Sequence, residues 1–377
     1  TLGANPSVLP GATSANLPYS ATTGSPNQYS IDYNPAANTA GFVDVTNATL
    51  PASPIVLVVP GAAASATYNA TLTVRNSTTG CVSSAVSFTV TISTCPSVLT
   101  VNDLGDAADA SAGNGVCATA GGVCTLRAAI QEANALTACS PMTITITATG
   151  TITLGSTLPD LNHPNLTING PGANQLTVSG NNLVRVFAIN SGNLAVTISG
   201  LTVANGQLNG QFGAGLLNQS TGTVNLNNLA FTGNVTTGGS SGAAIAHLGS
   251  GTLNLTGSTF NNNNSSAGGA SLDVNQASAT VNVTNCTFSG NTSTAGGAIY
   301  AHKSTTLTNC TLTLNRSDAG GGINTTGGMA VLRNTIVTGN TKADGMTISD
   351  VANALGAAST SNIITDSRVL FAPLGNY

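Results

Sequence analysis

The feature that most restricts how this chain can fold is a repeat. A Gly-rich apolar motif recurs at Gly213-Ala214-Gly215-Leu216, Gly242-Ala243-Ala244-Ile245, Gly268-Gly269-Ala270-Ser271, Gly296-Gly297-Ala298-Ile299 and Gly320-Gly321-Gly322-Ile323, at spacings of 29, 26, 28 and 24 residues. A second marker, an apolar residue three before an asparagine, keeps step with it: Phe231 and Asn234, Phe260 and Asn263, Phe288 and Asn291, Leu312 and Asn315, Val337 and Asn340. Between the markers run alternating segments such as Thr223-Val224-Asn225-Leu226 and Thr280-Val281-Asn282-Val283. A period of about 25 residues holding two or three short strands is one coil of a parallel β-helix. A coil cannot bury its apolar face alone; stacking on its neighbours does so. Glycine at the corners supplies conformations that a β-carbon forbids. Asparagines at one corner of successive coils can stack as a hydrogen-bonded ladder, about 4.8 Å per step. Asn234, Asn263, Asn291, Asn315 and Asn340 are read as that ladder, with a structural role.

A solenoid end exposes its core and unpaired strand edges, so it needs a cap. Residues 125–135 supply one. Leu126, Ala129, Ile130 and Ala133 share one helical face, and Thr125 can N-cap the helix. Upstream, residues 1–95 read differently. Short strand-like runs at 29–33, 41–45, 55–59, 67–75 and 85–92 alternate with Pro and Gly punctuation. About seven strands in ~95 residues fit an immunoglobulin-like β-sandwich. The expected layout is therefore all-β. A sandwich at 1–95 precedes a β-helix at 96–377, with a cap segment at 98–140 and coils from about 143 to 370.

Charge supports this reading and removes others. The 377 residues carry 8 Lys+Arg and 12 Asp+Glu, a net −4. Eight cations cannot neutralise a phosphate backbone, so nucleic acid is not a partner. No apolar run is long enough to span a membrane as a helix. Seven cysteines show no metal-ligand spacing; Cys117 and Cys124 bracket a Gly-rich turn and are placed to form a local disulfide. That bond, with the scarcity of Lys and Glu, points to an oxidising, extracellular or cell-surface setting. The chain starts at Thr1 without Met or a leader, as a processed chain or a fragment does.

The segment LTVNDLGDAADASAGNGVCATAGGVCTLRAAIQEANAL, residues 99–136, resembles the CSLREA-type segment that opens many bacterial secreted β-helix proteins. Its matching core is Cys124-Thr125-Leu126-Arg127-Ala128-Ala129-Ile130, with Thr125 where the pattern has Ser and Ala128 where it has Glu. The GGAI and FxxN repeats resemble those of polymorphic outer-membrane proteins and adhesin-like β-helices, over residues 98 to about 370. The stretch TYNATLTVRNSTTGCVSSAVSFTVTI is similar to immunoglobulin/PKD-like modules of large secreted proteins. The resemblance implies a right-handed helix, export, and structural or adhesive roles on a bacterial surface. It implies no catalytic set.

Candidate sites are few. Counted from the first Gly of each repeat, His247 (247 − 242) and Asp273 (273 − 268) lie at +5 and His302 (302 − 296) at +6, with Lys303 beside it. Neighbouring coils bring such positions together, as a small binding site for a metal or for acid/base work; the bland alternative is an exposed polar column continued by Asn218 and Thr325. Asp103, Asp106 and Asp109, in a Gly/Ala-rich loop, offer oxygen ligands for a structural calcium but lack the EF-hand spacing; no other cofactor is expected. Cys286 and Cys310, one coil apart, are read as stacked buried thiols, with a disulfide feasible if their Cα atoms lie ~5.5 Å apart. The extended segment 1–10, with Leu2, Val8 and Leu9 apolar, is the candidate assembly strand, donated to the next subunit.

Three functions compete. An extracellular structural or adhesive protein, a filament subunit with itself as partner or a binder of surface carbohydrate or protein, fits the neutral surface and the lack of catalytic residues. A polysaccharide lyase or hydrolase needs paired carboxylates in a groove, and Asp160, Asp273, Asp318, Asp344, Asp350 and Asp366 do not share offsets in adjacent coils. A carbohydrate-binding module needs aromatic platforms, and aromatics make up 4% with no Trp. The chain is expected not to be an enzyme.

Overall fold

The computed structural model describes residues 1–20, 22–275, 278–302, 304–325 and 330–365. Lys303, Asp366 and the end of the expected coil region at 370 lie outside the described residues. The chain is all-β with very little helix, and it divides into two compact units, Thr1–Pro96 with Gly113–Gly115, and Ser97–Ala112 with Val116–Tyr377.

The first unit holds a five-stranded sheet in the order Ser7–Val8, Val86–Ile92, Ala66–Arg75, Gln28–Tyr33, Val45–Thr49, and a two-stranded ladder of Ser14–Leu17 with Ile55–Val58. Alternation drives it: Tyr68, Ala70 and Leu72 turn inward from the longest strand, against Phe88, Val90 and Ile92. Leu17, Ile31, Ile55 and Leu57 complete the core from the other strands. A strand expected at 41–45 begins instead at Val45. Asn34 caps a short helix, Pro35–Thr39, by accepting a bond from the Ala37 N–H at 2.9 Å. Gly41 then turns the chain at φ +98°.

The second unit is a parallel β-solenoid of about eight coils. Sheet 1 has nine strands, from Val98–Val101 to Ala330–Arg333. Sheet 2 has nine, from Gly150–Thr153 to Ile363–Thr365, and sheet 3 has seven, from Phe187–Gly192 to Val351–Ala352. Every pairing within these three sheets is parallel. Like residues stack on like. Phe231, Phe260 and Phe288 form a column with centroids 5.0 and 4.6 Å apart and rings within 7° of parallel, continued by Leu312 and Val337. Offset ring stacking of this kind adds to the area that the column buries. The glycine of each motif is required where φ is positive: a Cβ on Gly320 (φ +68°) would sit 2.4 Å from the Ile323 carbonyl oxygen.

The cap helix forms at Leu126–Ala135. Thr125 Oγ1 accepts from the Ala128 N–H at 3.1 Å, as an N-cap should. Leu126, Ala128, Ala129, Ile130 and Ala133 are fully buried, and the helix packs on the first two strands of sheet 1. Cys117 and Cys124 form a disulfide with Cα atoms 5.2 Å apart. Cys286 and Cys310 are free buried thiols, and burial pushes them up to about 12 and about 11.

Candidate functional site

The asparagine ladder is built from five rungs. The Nδ2 of Asn234 donates to Oδ1 of Asn263 at 3.0 Å, Asn263 to Asn291 at 2.9 Å, Asn291 to Asn315 at 2.8 Å, and Asn315 to Asn340 at 2.8 Å. Each backbone N–H donates to the same acceptor, and each Nδ2 also reaches a main-chain carbonyl such as Phe260 O or Phe288 O. All five side chains are buried, with both amide hydrogens used. The ladder ends on a residue that the repeat did not reveal. Asp350 Oδ1 accepts from Asn340 N at 2.9 Å and Nδ2 at 2.7 Å. At the other end Gly206 N–H donates to Asn234 Oδ1 at 2.9 Å.

His247, Asp273 and His302 do not form one group. The strand partners are Ile245 with Leu272 and His247 with Val274, so the residue equivalent to Gly242 is Gly269, not Gly268. Both have positive φ. A slip of one residue moves a side chain to the other face of a strand. His247 therefore points inward, in a buried column with Asn218 and Thr325 rather than an exposed one. Asn218 Nδ2 donates to its Nδ1 at 3.0 Å, and its Nε2 lies 3.3 Å from Gly251 O. Burial holds His247 below its ordinary range, so it is a neutral packing residue.

Asp273 lies on the other face of its strand, level with Tyr300 of the next coil. It is 1% exposed, and burial pushes its carboxyl up to about 7. His302 Nε2 is 3.9 Å from Asp273 Oδ1, beyond hydrogen-bond range, and the Tyr300 ring meets the His302 ring edge-on at 3.9 Å. Two of the three expected residues thus come together, as an acid–imidazole pair with one partner covered.

The three aspartates expected to share a cation do not converge. Asp106 is the partner of Arg127, with Nε to Oδ1 and Nη2 to Oδ2 both at 2.9 Å, and its Oδ2 also accepts from Gly155 N–H. Arg127 carries on to the carbonyls of Ser156 and Thr157, tying the cap segment to the first coils. Asp103 and Asp109 close local turns on Gly105 and Ser111 N–H. Carboxylates held by these neighbours are not arranged to surround an ion, and among the described residues no group of three or more His, Cys, Asp or Glu could hold one.

The expected assembly strand is occupied within its own unit. Ser7–Val8 pairs in parallel with Thr91–Ile92, Leu2 bridges Tyr19, and Leu2 and Val8 pack on the first unit's core. Leu9 follows directly at half-burial. The segment satisfies a sheet edge at home, which sequence alternation alone could not reveal.

What the solenoid presents outward is a surface. On sheet 1 the inward positions are Ile, Leu, Val and Met apart from Thr305 and Ala330, and the positions between them face out. One outward column runs Thr143, Thr167, Thr197, Asn225, Asn254, Asn282, Thr306, in unbroken register. The column two residues on runs Thr145, Asn169, Ser199, Asn227, Thr256, Thr284, Thr308. None of these residues is charged, and all are half-buried or exposed. Asn254 Nδ2 donates to Asn225 Oδ1 and Asn282 Nδ2 to Asn254 Oδ1, both at 2.9 Å, so the amides are held in place before any ligand arrives. The sequence points to a neutral Thr- and Asn-rich surface, but not to which positions share one face or to their register, which only the strand pairings give.

No family model matches the chain. No curated protein matches it. Among solved structures, the family 28 exopolygalacturonase of Yersinia enterocolitica is similar to it at 13% identity and a TM-score of 0.22, over 98% of this chain and 97% of that one. A TM-score that low carries no argument about fold or activity. No helix among the described residues is long and apolar enough to cross a membrane.

Proposed function

We propose that the protein is an extracellular structural or adhesive protein of a cell surface, of the CSLREA and polymorphic outer-membrane-protein kind, whose solenoid is a rigid carrier for an uncharged binding face. The first unit is read as an immunoglobulin-like module, and the coils as right-handed, the hand that parallel crossovers adopt. The observation that carries the proposal is the division of polar residues between inside and outside. Arg127, Asp106, His247 and Asp350 are spent on internal contacts. The broadest regular face displays Thr, Asn and Ser in register. The Cys117–Cys124 disulfide favours an exported location.

The second reading, a polysaccharide lyase or hydrolase, shares its class with the exopolygalacturonase above. It requires two carboxylates facing a solvent-filled groove. Asp273, with its carboxyl pushed up and an imidazole alongside, is the residue on which it rests. Retention of the labelled full chain on insoluble surfaces, alongside release of reducing ends from a polysaccharide panel, separates the two. Retention without turnover supports the adhesive reading. Turnover lost in Asp273→Asn would replace it with the enzymatic one.

A further inference from the structure

The outward face of sheet 1 is a lattice. Its neighbouring columns are two residues apart along each strand, about 6.6 Å, and its rows are one coil apart, about 4.8 Å. The register runs unbroken through seven strands, and side-chain ladders of this kind hold a sheet flatter than its natural twist.

The chemistry of the face removes most partners. It has no Lys or Arg before Arg333, so it does not bind a polyanion. It has no acid, so it does not bind a cationic or mineral surface. The two columns contain no Trp, Tyr, Phe, Leu or Arg, the residues that anchor protein interfaces, so protein docking lacks a hot spot. The same lack of rings leaves a sugar polymer without a stacking platform. Between Val98 at one end of the sheet and Val331 and Arg333 at the other, hydroxyls and amides remain, each able both to donate and to accept, as water does. In a tetrahedral water network with O···O near 2.75 Å, second neighbours lie about 4.5 Å apart. The coil spacing of about 4.8 Å is within a few tenths of an ångström of that repeat.

We propose that this face binds crystalline water: the Thr and Asn columns order a layer of water that joins an ice surface, and ice is the solid to which the protein adheres. This rests on the adhesive reading of the same face and names its partner. The amide chain Asn225, Asn254, Asn282 fixes the lattice in the middle of the sheet, and Thr256 and Thr284 flank it with a hydroxyl and a methyl each.

The test uses the full chain in a nanolitre osmometer, reading the gap between melting and freezing points and the crystal habit. Wild type is expected to shape crystals and open a gap. The pair Asn254→Lys and Thr284→Lys should abolish both, while Val43→Lys, at a site 77% exposed in the first unit, should leave both intact. Circular dichroism checks the fold of each, and should the lysine pair unfold the coils, Thr256→Tyr tests the same face with one substitution. Folded wild type that neither shapes ice nor opens a gap overturns the inference, as does activity untouched by the face variants. If ice fails while another insoluble solid retains wild type but not the lysine pair, only the identity of the partner falls. If no solid retains the protein, the adhesive reading falls as well.

Discussion

Asp350 carries more of the fold than its position suggests. Its Oδ1 takes the backbone N–H and one amide N–H of the last asparagine of the ladder, inside the coil stack. Asp350→Ala leaves two buried donors without an acceptor and should cost about 3 kcal/mol in urea unfolding; Asp350→Asn, which keeps an oxygen, should cost much less. The two buried titratable side chains of sheet 3 pull stability in opposite directions. Asp273 is held neutral, with its folded value near 7 against an ordinary 3.8. Its contribution is complete below about pH 4 and fades as pH rises towards 7. His247 is also held neutral, so its contribution is complete above about pH 6.5 and fades below it. Asp273→Asn should therefore flatten the decline in urea midpoint between pH 4 and 7, and His247→Gln should flatten the opposite trend on the acid side. A profile unchanged in both variants would contradict these assignments. The five ladder asparagines were legible because their spacing matches the coil. Asp350 was not, because it lies only 10 residues after Asn340, far short of the coil period that marks the other rungs. The site containing Asp273 was half legible: counting from Gly268 instead of Gly269 put Asp273 in the column of His247, whereas its strand sets it level with Ala246 and Tyr300.

The cap segment shows how an element can be read correctly while its contacts are missed. Thr125 and the apolar stripe of the helix are visible in sequence, and Thr125→Ala should cost about 1 kcal/mol. The role of Arg127 is not, since its partners lie 21, 29 and 30 residues away. Arg127→Leu leaves the Asp106 carboxylate without its cation and three carbonyls without this donor, and should cost about 3 kcal/mol and expose the first coil to proteolysis near the cap. Adding calcium should not move the unfolding midpoint, because the aspartates of this loop are engaged with Arg127, Gly105 and Ser111. The N-terminal strand teaches the converse. Its apolar residues suggested donation to a neighbour, but it completes its own sheet through Ser7–Val8. Deleting residues 1–10 should lower the melting temperature of the first unit; unchanged melting with lost polymers would restore the donated-strand reading.

At the scale of the molecule, a solenoid is close to a one-dimensional stack, in which each coil contacts only its neighbours. Removal of residues 235–263, one full step from Asn234 to Asn263, should leave a cooperative fold with a slightly shorter ladder. Removal of half that length should not, since it breaks every column at once. The period, the core and the ladder of this stack were legible because they repeat. Its neutral Thr- and Asn-rich character was legible from composition, but the ordered face was not, since columns of hydroxyls and amides emerge only when seven strands are placed in register. The most direct test of the account is retention of the folded full chain on insoluble surfaces, frozen water included, compared with the Asn254→Lys and Thr284→Lys pair. The account predicts that wild type is retained and the lysine pair is washed away. Equal retention of the two, or turnover of a polysaccharide that survives the face substitutions, would contradict it.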